Sequence, residues 1–133
     1  MKAIQFPVID VKVGQKATYE RTFTTKDIET FAELSGDKGA HHIHPDAQGR
    51  IMVQGLLTAS VPTKLGGDLN YIGRDFILEF ARPVFAGDTI KAEAVITKTD
   101  PGEGHLKVGI EFVCYNQHGK EVLLGKTSGI IRQ

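Results

Sequence analysis

The sequence predicts an α+β protein in which an antiparallel β-sheet wraps around one central buried helix, and three features lead there. The segment Ile51-Met52-Val53-Gln54-Gly55-Leu56-Leu57-Thr58-Ala59-Ser60-Val61 is apolar nearly all round, the pattern of a helix enclosed by other structure. Beyond Asn70 the hydrophobic period changes, with Phe76, Leu78 and Phe80 alternating against Ile77 and Glu79. Three more strand-like runs follow, and the connections around Gly102 and Gly119 are short enough for antiparallel hairpins.

At 133 residues the chain fits a single domain spanning 1–133. Sixteen Lys plus Arg balance sixteen Asp plus Glu, so no net field draws the protein toward nucleic acid or an anionic membrane. Neither is expected as a partner. The single cysteine, Cys114, excludes an intramolecular disulfide and sits in the apolar run Phe112-Val113-Cys114-Tyr115, where a small buried side chain is expected. Residues 1–7 contain no apolar secretory core, and no run of about 18 apolar residues occurs. The expected location is the cytoplasm.

Taken in order, residues 16–24 alternate Ala17, Tyr19, Arg21 and Phe23 with polar residues and read as a strand. A helix follows, with Thr25 as N-cap, Asp27 at the positive end of its dipole, and a stripe of Ile28, Phe31, Ala32 and Leu34 ended by Gly36. Residues 41–50 are polar, carry Pro45 and Gly49, and read as a loop. The buried helix begins near Gly55. Pro62 predicts a kink or an early stop, and Gly66-Gly67 an end. Strands are expected over 88–99, 105–116 and 121–132, which with the run before them make a four-strand meander. A sheet covered on one face by a single helix leaves apolar surface for a second copy, so a homodimer or dimer-based assembly is expected.

The end of the first helix carries the chemistry. Phe31-Ala32-Glu33-Leu34-Ser35-Gly36-Asp37-Lys38-Gly39-Ala40-His41-His42 places Asp37 and His42 five residues apart on a short irregular segment, a carboxylate and an imidazole able to move protons near neutral pH. Taken alone, Asp37 serves equally well as an Asx-turn residue closing the helix. His41, His42 and His44 near Asp37 and Asp46 do not have metal-ligand spacing, and no metal is expected.

Four stretches together carry a resemblance: Phe31 to Asp37, then His42, then Val53-Gln54-Gly55-Leu56-Leu57, then Arg82-Pro83-Val84-Phe85-Ala86-Gly87-Asp88-Thr89-Ile90. The chain from about Thr22 onward resembles the MaoC-like, (R)-specific enoyl-CoA hydratase/dehydratase family, which implies a hot-dog fold. The family motif Gly-Asp-x-Asn-Pro-x-His keeps its Asp and His here as Asp37 and His42, with Gly39-Ala40 in place of Asn-Pro and Gln54 in place of a His before Gly55. The loop between His42 and Gly55 is also shorter.

The resemblance implies hydration of trans-2-enoyl thioesters of coenzyme A or acyl carrier protein (ACP) to (3R)-3-hydroxyacyl thioesters, or the reverse dehydration. Asp37 would take a proton from water, His42 would orient that water, and the Gly55 N–H at a helix N-terminus would hold the enolate oxygen. Gln54, Leu56 and Tyr71 are the candidate substrate contacts. The scheme needs no cofactor. A hot-dog thioesterase is one alternative, but residues 54–65 lack the Asp or Glu it would need on the central helix. A non-catalytic acyl-thioester-binding or assembly subunit is the other.

Overall fold

The structure, a computed structural model, describes residues 9–133, so residues 1–7, read above as lacking a secretory core, lie outside the described residues. Strand β1 (Lys16–Thr22) leads into helix α1 (Thr25–Ser35). The cap is Thr24 rather than Thr25. Its hydroxyl accepts the Asp27 N–H at 3.1 Å while the Asp27 carboxylate accepts the Thr24 N–H at 3.0 Å, a capping box that only a Thr three residues before Asp27 can close. Gly36, at φ 79, ends the helix in the left-handed region and returns its N–H to the Ala32 carbonyl. Ile28 and Ala32 face the core. Leu34, expected on the same stripe, is 83% exposed. Six positions from Ile28, at about 100° per residue, it is turned roughly 120° off the buried face.

The polar stretch expected as a loop holds one helical turn, α2 (Ala40–Ile43). The central helix starts at Gly55 and comes in two pieces, α3 (Gly55–Thr58) and α4 (Ser60–Asp68), broken at Ala59. Pro62 is the cause: it has no N–H for the carbonyl of Thr58, so the ladder fails one turn before it. Gly66-Gly67 do not end α4, which runs on to Asp68 and is braced there by Lys64 at 2.7 Å. The expected all-round enclosure is partial: Val53, Thr58, Val61 and Leu65 are buried, whereas Leu56 is 64% exposed.

Strands β2 (Tyr71–Phe80), β3 (Thr89–Gly102), β4 (His105–Tyr115) and β5 (Glu121–Arg132) complete one antiparallel sheet in the order β1-β3-β4-β5-β2. The four-strand meander therefore holds only for β3, β4 and β5. Strand β1 occupies the edge of β3 that a β2–β3 hairpin would need, with Ala17 opposite Ala94, so β2 crosses to the free edge of β5, with Phe76 opposite Thr127. The β3–β4 turn is tighter than expected, because pairing continues to Gly102 opposite His105 and leaves only Glu103-Gly104 between. Pro101 is tolerated there because it lies beyond β1, which reaches only to Val95.

The inner face of the sheet shows the period-two burial of a strand covered on one side: Leu106, Val108, Ile110, Phe112 and Cys114 along β4 are all buried. Phe112 and Cys114 meet Phe23, Ile28, Val53 and Val61 in the core under the helix, while Leu106, Val108 and Ile110 pack with Val11, Ile96 and Ile131 in a second cluster. Burial pushes the Cys114 thiol up to about 12, which makes it an inert filler. Among the described residues no helix is long and apolar enough to cross a membrane.

The Thr24 N–H, opposed by partial burial and reinforced by Arg21 at 2.7 Å, holds the Asp27 carboxyl below its ordinary value. A carboxyl depressed in the folded state adds stability above its unfolded pKa and loses it as the pH falls through the folded one. Asp27→Asn is therefore expected to cost about 1 kcal/mol at pH 7, with the difference from the parent shrinking in acid. Urea unfolding at pH 7 and at pH 3 checks this, and an equal cost at both would refute it.

Candidate active site

Three local structures meet around His42. Gly36 turns the chain off α1, and Ser35 Oγ takes the Asp37 N–H at 3.0 Å. Asp37 then uses its two oxygens differently. Oδ1 accepts the Gly39 N–H at 3.3 Å, the Asx turn, while Oδ2 lies 3.5 Å from His42 Nε2. The turn-forming role and the pairing with histidine thus coexist on one carboxylate. Gly39 suits this place, since a Cβ there would lie 2.9 Å from the ring of His41.

The single turn of α2 directs His42 inward. Its side chain is 6% exposed against 50% for Asp37, so the imidazole is held and the carboxylate is wet. His42 Nδ1 lies 2.7 Å from the Met52 carbonyl. A carbonyl can only accept, so Nδ1 carries a hydrogen, and in the neutral form of the ring the Nε2 lone pair faces Asp37. Two acceptors 3.5 Å apart do not bond each other, but they face a common point beside them from which one water could give a hydrogen to each. His41 packs its ring on that of His42 at 3.9 Å, and its carbonyl accepts the Met52 N–H at 3.0 Å.

Met52 is itself fixed from behind. Val53 N–H donates to Val84 O at 2.7 Å, Ala86 N–H donates to Ile51 O at 2.9 Å, and Met52 bridges Phe85. The Arg82-to-Asp88 stretch thus backs the segment that anchors the histidine, and the Asp88 carboxylate fixes its turn by accepting the Phe85 N–H at 2.9 Å. The loop before it is clamped by Arg50, which pairs with Asp46 at 2.9 Å and lies over the Phe85 ring at 4.1 Å.

Three residues beyond Met52, Gly55 opens α3. No side chain caps this turn, so its first N–H groups have no side-chain acceptor. A Cβ on Gly55 would lie 3.0 Å from the Phe80 ring, so glycine also permits that packing. Gln54 is placed in the core. It is 1% exposed, Nε2 donates to the Ile28 carbonyl at 3.0 Å, and the buried Oε1 has no partner.

Leu56 and Tyr71 line a cavity of about 680 Å³ between the helix and the inner face of the sheet. Asp37, His42 and Gln54 do not line it. The pair and the cavity lie on either side of the first turn of α3, with Gly55 next to Leu56 on the cavity wall. Tyr71 OH bonds Thr127 Oγ1 at 2.9 Å, and burial raises the phenol above its ordinary value, against the effect of the Thr127 bond and with that of the Asp75 charge, so it stays a neutral hydroxyl able to donate or accept. Sequence reasoning missed Met52, which acts through its backbone and leaves no side-chain signal. It also missed Thr127, whose inward direction the alternation along residues 121–132 could have given. Among the described residues no three His, Cys, Asp or Glu side chains converge on a common point.

Five antiparallel strands curled round a central helix define a hot-dog protein, and the Asp37–His42 pair lies beside the start of that helix. No family model matches the chain. An (R)-specific enoyl-CoA hydratase from Aeromonas caviae is 35% identical over 98 residues, 65% of this chain and 72% of that protein. One from Rhodospirillum rubrum is 34% identical over 101 residues, 69% of this chain and 70% of that protein. The solved structure of an A. caviae (R)-hydratase, described as involved in PHA biosynthesis, superposes with a TM-score of 0.82 at 27% identity, covering 95% of this chain and all of that one. The chain belongs to the MaoC-like (R)-specific enoyl-CoA hydratase family.

The His42–Met52 bond predicts that the neutral imidazole carries its proton on Nδ1. Nitrogen-15 NMR of the folded protein at pH 8 reads the tautomer directly. A proton on Nε2 would contradict the arrangement.

Proposed function

We propose that this chain is a hydro-lyase that adds water to trans-2-enoyl-CoA to give (3R)-3-hydroxyacyl-CoA and catalyses the reverse dehydration, acting as a cytoplasmic homodimer. The observation that carries the reading is the 3.5 Å approach of His42 Nε2 to Asp37 Oδ2, with Nδ1 already committed to Met52. Family membership supports the same chemistry. ACP thioesters are the second carrier the site chemistry allows.

The atoms balance with one water. Asp37 takes a proton from the water as its oxygen bonds C3, and His42 Nε2 accepts the other hydrogen and fixes the direction of attack. The C2–C3 π electrons move to the thioester oxygen. The open N–H groups at Gly55, in the positive end of the helix dipole, hold that enolate. The proton taken by Asp37 then reaches C2, and the carboxylate is restored. Asp37→Asn and His42→Ala are each expected to lower kcat on crotonyl-CoA by about 100-fold or more, read from loss of the enoyl absorbance. Retained hydration, or release of free thiol at a comparable rate, would remove this reading, the latter in favour of thioester hydrolysis.

The cavity suits an acyl tail, since its walls are mostly apolar and Leu56 joins it to Gly55. Dimerisation is supported by β2, a sheet edge that among the described residues pairs only with β5 and carries Ile72, Phe76, Ile77 and Phe80, each 40% or more exposed. Ile77→Lys is expected to shift the dimer toward monomer in light scattering, and a monomeric parent protein would refute the assembly.

A further inference from the structure

Apart from Tyr71 and Thr127, the polar side chains lining the apolar cavity are exposed at its rim. Thr63 Oγ donates to the Ala59 carbonyl at 2.8 Å, Gln15 Oε1 accepts the Lys12 N–H at 3.2 Å, and Asp68 pairs with Lys64 at 2.7 Å. Lys16 lies exposed at the rim. What remains is the Tyr71–Thr127 pair.

A hydroxyl carries one hydrogen, and the pair holds two. The 2.9 Å bond uses one of them, whichever group donates. The other hydrogen is left, and among the described residues no third group bonds either oxygen. Thr127 is 9% exposed, on the inner face of β5. The pair is part-buried at the wall of an apolar chamber, and a tail that fills the chamber and displaces water from it leaves that O–H without an acceptor unless the tail carries one.

The ring of Tyr71 is held for this. A Cβ on Gly66 would lie 3.4 Å from its Cδ2, and one on Gly129 would lie 2.9 Å from its Cζ. The phenol is seated between α4 and β5, in ordinary contact distance of Gly66 and close against Gly129, where the Ile72 backbone leaves no room for a side chain either. Its hydroxyl is thereby fixed against Thr127.

We infer that the Tyr71–Thr127 pair is a specificity device that donates one hydrogen bond to an oxygen in the acyl tail, so that the preferred substrates are enoyl thioesters whose chains carry an ether, keto or hydroxyl oxygen. The inference rests on the proposed reading that the tail occupies this cavity. The contact is remote from C2 and C3, so it acts equally on ground and transition states and appears in KM.

The test is an oxygen scan. trans-2-Decenoyl-CoA is compared with analogues in which one methylene at a time, from C6 to C9, is replaced by an ether oxygen, an acceptor of nearly the same shape. One position of the scan is expected to exceed the all-carbon chain about tenfold in kcat/KM, the worth of one neutral hydrogen bond, through KM with kcat unchanged. In the double variant Tyr71→Phe/Thr127→Val, which keeps ring and branch but removes both hydroxyls, that ratio is expected to fall to one or below. Because the readout is a ratio within each protein, lost folding moves both terms together. No favoured position in the parent protein, as when a bound water already satisfies the hydroxyl, overturns the inference, and so does a preference that survives the double variant. If the parent does not hydrate crotonyl-CoA, the catalytic reading fails separately. The ratio of dissociation constants for the saturated pair, by calorimetry, then decides the tail preference.

Discussion

The hydrogen bond from His42 Nδ1 to the Met52 carbonyl is the constraint on which the site depends. It sets the tautomer, turns Nε2 toward Asp37, and ties α2 to the segment that becomes the central helix three residues later. Removing it would leave a buried ring nitrogen unsatisfied, a cost of about 1–3 kcal/mol. The bond also accounts for α2. Residues 40–43 are no strong helix, but one helical turn is what swings a histidine inward while His41 stays exposed and its carbonyl still meets the Met52 N–H. The rigidity comes from the rear, where Val84 and Ala86 pair with Val53 and Ile51 and pass the order of the sheet to the imidazole.

The same geometry separates two environments. On one side of the first turn of α3 lie a wet carboxylate and a held imidazole; on the other lies an apolar cavity closed by the sheet. The break at Ala59 divides the helix, with the turn bearing Gly55 next to the Met52 anchor and α4 packed on the sheet. Pro62, a liability in an isolated helix, makes that division possible.

Much of this was legible in the sequence because it was written in local rules. The start of the central helix at Gly55, the stop at Gly36 and the hairpins joining β3, β4 and β5 each follow from a residue whose backbone preference settles the matter. The errors share a different origin. The place of strand β2 is not legible locally because which edge a strand takes depends on what already occupies the others, and β1, which ends at Thr22, holds the edge of a strand that begins only at Thr89. Leu34 was assigned inward on composition, although its angle around the helix turns it out. Of the site, the five-residue spacing of Asp37 and His42 could be read, but the anchor on Met52 could not, because any residue at 52 offers the same carbonyl. The Tyr71–Thr127 bond was hidden for a similar reason: it joins residues 56 apart through a register that no local pattern encodes.

Gln54 shows where local rules give way to position. Its amide is fully buried directly before Gly55; Nε2 reaches the Ile28 carbonyl on α1 and Oε1 reaches nothing. The Ile28 carbonyl lies inside α1, where the helical ladder already supplies a partner, so the bond contributes little to satisfaction while the orphan oxygen costs about 1–3 kcal/mol. A leucine would fill the space without that cost, but it would also cut the only side-chain hydrogen bond between α1 and the start of α3 among the described residues. Helix α1 delivers Asp37 and α3 begins with Gly55. The net instability at Gln54 therefore sits on a tie that works beside the His42–Met52 bond in holding these two ends together, which is where a folded chain is expected to depart from its own packing rules.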